Sequence, residues 1–175
     1  MTDGVIRGAL RAVLDWAQAS SLRYVYVNGG CCADELMQAV GCRYDLERFG
    51  ALSEKDPAFA DLLIISGPVT KKAEPEIKKL YDQMSEPKYV MAIGSCACSG
   101  GAFGPEATEG LTLPGAQAAI PVDVLVGGCP PRPEAIIDGL IALQKKIRGE
   151  KISPRRAPRR PERVDSIHAD EWNRL

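Results

Sequence analysis

Leu22-Arg23-Tyr24-Val25-Tyr26-Val27-Asn28-Gly29-Gly30-Cys31-Cys32-Ala33-Asp34-Glu35 decides how the chain is read. The β-branched and aromatic residues from Leu22 to Val27 run into Asn-Gly-Gly, as in a strand that ends in a tight turn. Asp34 then opens a helical pattern to about Gly41 and is placed to cap it. Adjacent cysteines rarely bond each other, because a disulfide needs Cβ atoms about 3.5–4.5 Å apart and a relaxed torsion. Two neighbouring thiols at a strand end are better suited to sharing one metal centre.

Similar units recur along the chain. Leu62-Leu63-Ile64-Ile65 is a continuous apolar run closed by Ser66-Gly67-Pro68, as expected of a strand buried on both faces. A helix is predicted from about Lys72 to Met84, with Pro75 in its first turn. Tyr89 to Ile93 reads as a strand, followed by the loop Gly94-Ser95-Cys96-Ala97-Cys98-Ser99-Gly100-Gly101. Residues 102–117 carry scattered glycines and prolines and no period, so a long loop is expected. Val122 to Val126 is the last strand, ending in Gly127-Gly128-Cys129-Pro130-Pro131, and a helix from Arg132 to Arg148 follows. Upstream, residues 5–18 place Val5, Leu10, Val13, Leu14 and Ala17 on one helical stripe, with Trp16 off it as a core or surface aromatic. Residues 43–50 have no clear period and could hold a short edge strand.

Strand and helix alternate, so the fold class expected is an α/β layer structure with a mainly parallel sheet. Three strands lead into glycine-rich loops with cysteine, which places Cys31, Cys32, Cys96 and Cys129 at the carboxyl edge of one sheet. Open α/β sheets bind ligands there. Residues 1–150 make one domain, and a 175-residue chain is long enough to bury a full core. Residues 151–175 read as an extended Pro/Arg-rich tail that cannot build a core and is expected to lie on a partner, the alternative being a tail that is merely solvated.

Composition narrows the function classes. Lys and Arg total 22 against 23 Asp and Glu, a net charge of -1, so bulk electrostatics favours neither nucleic acid nor an anionic membrane. No run approaches the roughly 18 apolar residues of a membrane span, and no basic patch precedes an apolar signal segment. A cytoplasmic location is expected, with the inner face of a membrane reached only through partners. Six cysteines in such a chain point to metal or redox chemistry rather than to a disulfide framework.

Glycines flank the cysteine turns, letting peptide N–H groups approach a centre and tune its potential. Four thiolates from three loops fit one [4Fe-4S] cluster, with Cys31, Cys32, Cys96 and Cys129 as ligands. A four-thiolate zinc site is the competing reading, but the short paired knuckles it normally uses are absent. A nucleotide or flavin site is opposed by the lack of a Gly-x-Gly-x-x-Gly or Walker sequence after any strand. Cys42 lacks a strand-end loop and reads as a structural thiol. Cys98 is an alternative to Cys96 as ligand, or a thiol behind it.

Cys31-Cys32-Ala33-x-Glu35, Arg43-Tyr44-Asp45-Leu46-x-Arg48-Phe49-Gly50, Gly94-Ser95-Cys96-Ala97, Val122-Asp123-Val124 and Gly128-Cys129-Pro130-Pro131 together carry a specific likeness. Over about residues 22–147 the sequence resembles the 20 kDa iron-sulfur subunit of the respiratory complex I type, a family related to the small subunits of [NiFe]-hydrogenases. The resemblance implies a flavodoxin-like three-layer fold and one [4Fe-4S] cluster on Cys31, Cys32, Cys96 and Cys129. It also implies a partner like the hydrogenase large subunit or the complex I 49 kDa subunit, with further iron-sulfur subunits. Val27-Asn28-Gly29-Gly30 differs from the apolar, aromatic-containing approach of the complex I members. Adjacent cysteines differ from the Cys-x-x-Cys of hydrogenase relatives.

The expected function is one-electron relay between other clusters and the active site of that large subunit, in a hydrogenase-type or complex I-type oxidoreductase. The alternatives are a quinone-reducing complex I subunit and a zinc-stabilised scaffold. No acid-base constellation is present, and no residue is read as catalytic. His168, the sole histidine, lies in the tail. Glu35 reads either as a partner's ion pair or as a helix N-terminal carboxylate. Arg43 and Arg48 are expected to hold Asp45 or a loop carbonyl. Arg132 reads as a surface residue or as a charge that raises the cluster potential.

Overall fold

The computed structural model of the chain describes residues 2–150, with the backbone alone for residues 2–7 and 9. The tail and His168 lie outside the described residues. Helix α1 (Thr2–Ser20) leads into β1 (Leu22–Val27), α2 (Cys32–Val40), β2 (Ala51–Ser53), β3 (Leu62–Ser66), α3 (Glu74–Gln83), β4 (Tyr89–Ile93), α4 (Ser95–Ser99), β5 (Val124–Val126) and α5 (Pro133–Ile147). The strands form one sheet in the order β2-β1-β3-β4-β5, and every pairing is parallel. The strand order is that of the flavodoxin-like doubly wound fold, with its switch point between β1 and β3.

Alternation along the strands divides the core in two. Leu22, Tyr24, Leu62, Ile64, Met91, Ile93 and Val126 face α2 and α5, packing on Leu36, Ala39, Ile136, Leu140 and Leu143. Val25, Leu63, Ile65, Val90 and Ala92 face the other way, onto Ile77 of α3, Ala97 of α4 and Ile120. Every residue of β3 is buried, as the apolar run Leu62 to Ile65 predicts. Helices therefore cover both faces, giving three layers.

Several expectations are corrected. The edge strand is not within residues 43–50, where Leu46–Phe49 forms a 3₁₀ turn; it follows directly as Ala51–Ser53. Asp34 does not cap α2. The helix begins at Cys32 with Cys31 at the cap position and no side-chain cap, because Gly30 at φ +61° turns the chain early and its carbonyl accepts from Ala33 N–H. The Cys96 loop is not irregular but contains the single-turn helix α4.

Helix α1 forms, yet its apolar stripe does not point inward. Leu10, Val13 and Leu14 of the stripe, and Trp16 beside it, are about 60% exposed, and the buried position near its end is Ala19. Val5 has no described side chain. Among the described residues no helix is long and apolar enough to cross a membrane.

Candidate metal centre

A parallel sheet sends all its strands to one edge, so the loops after β1, β4 and β5 meet there. The β1 loop must still cross the end of β3 to reach the loop of β4. Two glycines make that crossing possible. A Cβ on Gly67, whose φ is +77°, would strike the carbonyl oxygen of Gly29, and one on Gly29 would lie 2.8 Å from the carbonyl oxygen of Ser66. Ser66, buried at the strand end, holds the crossing. Its Oγ accepts from Gly29 N–H at 3.2 Å and lies 3.4 Å from the Val27 carbonyl and 3.3 Å from Asn28 Oδ1.

Cys32 arrives beneath Gly94 as a result. A Cβ on Gly94 would occupy the space of Cys32 Sγ, and one on Gly101 would lie 3.2 Å from Cys96 Sγ. Cys32 and Cys96 are buried, while Cys31 and Cys129 are exposed. Burial pushes the Cys32 thiol up to about 11; Cys31 and Cys96 add to the rise, and Gly67 N–H opposes it. Three thiols thus share one electrostatic neighbourhood in which a second negative charge is unwelcome. Cationic iron would offset that repulsion.

The loops of β4 and β5 are tied to each other as well. Gly94 N–H donates to the Val126 carbonyl at 2.8 Å, and the Gly128 carbonyl accepts from Ser95 N–H at 2.7 Å and from Ser95 Oγ at 3.0 Å. Cys129 sits one residue beyond. Among the described residues, no three cysteines, histidines or carboxylates gather closely enough to hold a single metal ion. The cradle of glycines around Cys32 and Cys96, and the all-thiol donor set, fit an iron-sulfur cluster, in which each ligand binds a separate iron.

Cys98 lies behind this site, its Sγ 3.7 Å from the Ala92 carbonyl and 3.6 Å from that of Val126. Burial raises its thiol pKa too. Cys42 is exposed. The guanidinium groups of Arg43 and Arg48 do not hold Asp45: they stack over the rings of Tyr44 at 5.7 Å and Phe49 at 4.9 Å. Asp45 instead accepts from the backbone N–H of Arg48 at 3.3 Å. Glu35 lies in the first turn of α2, where a carboxylate complements the helix dipole. Arg132 is exposed at the start of α5.

Ser66 and Ser95 were not legible as parts of the site. The available signal was their position, each directly flanking a glycine at a strand end.

Residues 44–49 are strapped to α5 at both ends. Tyr44 OH donates to Glu134 Oε1 at 3.0 Å, and Gln144 Nε2 donates to the Phe49 carbonyl at 2.6 Å. The backbone N–H of Glu134 itself, then Tyr44, holds the Glu134 carboxyl below its usual value. A carboxylate lowered on folding adds stability above its unfolded pKa of about 4.3 and loses it as pH falls through the folded value. Glu134→Gln is therefore expected to lower the urea midpoint slightly above about pH 5 and to match the wild type in stronger acid.

The chain has relatives both in sequence and among solved structures. The family model described as NADH ubiquinone oxidoreductase, 20 Kd subunit, matches residues 21–143. The B subunit of the NADH-quinone oxidoreductase of Campylobacter fetus is 46% identical over 152 residues, covering 86% of this chain and 88% of the relative. Its counterpart in Desulfovibrio desulfuricans is 44% identical, covering 85% and 79%. Among solved structures, a chain of an archaeal membrane-bound sulfane sulfur reductase superposes with a TM-score of 0.72 at 37% identity, covering 79% of this chain and 76% of that one. A chain of an NAD⁺-reducing [NiFe]-hydrogenase shares the fold, with a TM-score of 0.52 at 17% identity and coverage of 75% and 93%. By the family match and by these identities, the chain belongs to the family of the 20 kDa subunit of NADH ubiquinone oxidoreductase and is a subunit of a multi-subunit oxidoreductase.

Proposed function

We propose that this subunit carries one [4Fe-4S] cluster on Cys31, Cys32, Cys96 and Cys129 and relays single electrons between other clusters and the active site of a large subunit. The observation that carries the reading is the convergence of three cysteine loops at one sheet edge, with Cys32 and Cys96 close enough to perturb each other. A cluster supplies the one-electron chemistry when bound, and the chain supplies position, burial and N–H donors to sulfur.

Two of the four thiols are exposed on this chain. A cluster held there would sit at the surface, where a large subunit can cover it and take its electrons. The partner we infer is of the complex I 49 kDa or hydrogenase large-subunit type. Identity of 46% with a subunit named for NADH-quinone oxidoreduction supports a complex I-type assembly over a hydrogenase. Quinone would then be the terminal acceptor, reached through that partner at a membrane's inner face.

Alanine at any one of Cys31, Cys32, Cys96 or Cys129 is expected to abolish the EPR signal of the reduced cluster in anaerobically purified complex, while Cys42→Ala leaves it intact. A full signal after loss of Cys129 would defeat the ligand assignment. Zinc in place of iron and acid-labile sulfide would defeat the cluster itself.

A further inference from the structure

One peptide joins the loops of Cys96 and Cys129. The carbonyl of Gly128 accepts twice from the same residue, from Ser95 N–H at 2.7 Å and Ser95 Oγ at 3.0 Å. Helix α4, which begins at Ser95, is itself held at both ends. Gly94 donates to the Val126 carbonyl at 2.8 Å, Cys98 N–H donates to the Gly94 carbonyl at 2.9 Å, and Cys98 Sγ lies within reach of the Ala92 and Val126 carbonyls. A thiol has one proton and can serve only one of those carbonyls at a time. Ser95 is thus a fixed point on the sheet edge.

The peptide between Gly128 and Cys129 is trans, since the cis bonds are Glu86-Pro87 and Cys129-Pro130. In a planar trans peptide the C=O and the following N–H point in opposite directions. Fastening the Gly128 carbonyl to Ser95 therefore fixes the direction of Cys129 N–H. That N–H donates to no carbonyl or side chain among the described residues. Gly128 cannot relieve the arrangement with another residue, because a Cβ there would lie 2.5 Å from Pro131 Cα, at φ +149°.

We propose that Ser95 is a positioning residue that, by holding the Gly128 carbonyl, fixes the backbone of Cys129 and so the direction in which its thiol is presented to the redox centre. The inference rests on the ligand assignment under Proposed function. A cluster's potential depends on the hydrogen bonding and solvent exposure of its ligand sulfurs, which change when the Cys129 backbone moves. Without the serine hydroxyl, the Gly128 peptide keeps one of its two tethers and gains freedom to rotate.

The test is an EPR-monitored redox titration of the complex purified with its partners, with iron counted per chain. Ser95→Ala is expected to shift the midpoint potential and broaden the signal at unchanged iron content. Ser95→Thr, which keeps the hydroxyl, restores the wild-type value. A wild-type potential in a fully loaded Ser95→Ala complex overturns the proposal. Should Ser95→Ala lose iron, the threonine variant decides: full iron and a wild-type potential uphold the assignment, and loss of iron there overturns it. An iron-free wild type would remove the cluster reading instead. Hydrogen exchange then reads the clasp alone, with slow exchange at Ser95 N–H and fast exchange at Cys129 N–H expected, and equal fast exchange overturning it.

Discussion

Gly94→Ala is expected to strip most of the iron from the complex and to destabilise the iron-free chain by about 2–4 kcal/mol. Two costs combine. Gly94 sits at φ +91°, where an L side chain is strained, and its Cβ would claim the volume of Cys32 Sγ. Moving the helix that carries Cys32 is not an easy escape, because Leu36 and Ala39 on the same helix are fully buried in the core. The thiol must give way, and with it one of the proposed ligands. Gly127 is the control: nothing lies within 4 Å of a Cβ built there, so Gly127→Ala should keep both iron and stability. Iron analysis and urea denaturation of the two variants check the claim. Wild-type iron in Gly94→Ala would show that Cys32 is not confined beneath that glycine.

Ile64→Ala is expected to cost about 2–5 kcal/mol, the range for emptying a packed core position. Ile64 lies on β3, flanked by Tyr26 on β1 and Met91 on β4, and no part of it reaches solvent. The neighbours on both sides are main-chain paired and cannot close the gap. With a urea slope of about 1–3 kcal/mol/M, the midpoint should fall by at least about 0.7 M. A fall below about 0.3 M would mean that the sheet centre repacks far more freely than a close-packed core does.

Much of this was legible in the residues. Leu62 to Ile65 announces a doubly covered strand because burial on both faces abolishes alternation, and the structure buries all of β3. The strand-end position of the four cysteines follows from apolar runs that stop at glycine, and parallel pairing then brings the ends to one edge. Short elements escaped. Ala51–Ser53 and Ser95–Ser99 are three and five residues long, too few to show a period of two or 3.6. The capping role expected of Asp34 failed because Gly30 starts the helix two residues sooner, which no propensity of Asp34 reveals. Ser66 and Ser95 were hidden for another reason. Their partners are carbonyls and N–H groups 33 to 39 residues away, and backbone atoms leave no mark in a sequence.

Periodicity identified α1 as two-faced but could not say which face meets the domain. Leu10, Val13, Leu14 and Trp16 turn out to be in water. Produced without companion subunits, the polypeptide would carry an oily ridge along one rod, and its tendency to clump in the test tube would stem from that ridge and not from a weak interior. Low recovery of the lone recombinant product would then call for detergent or co-expression, and not for mutations that reinforce the fold.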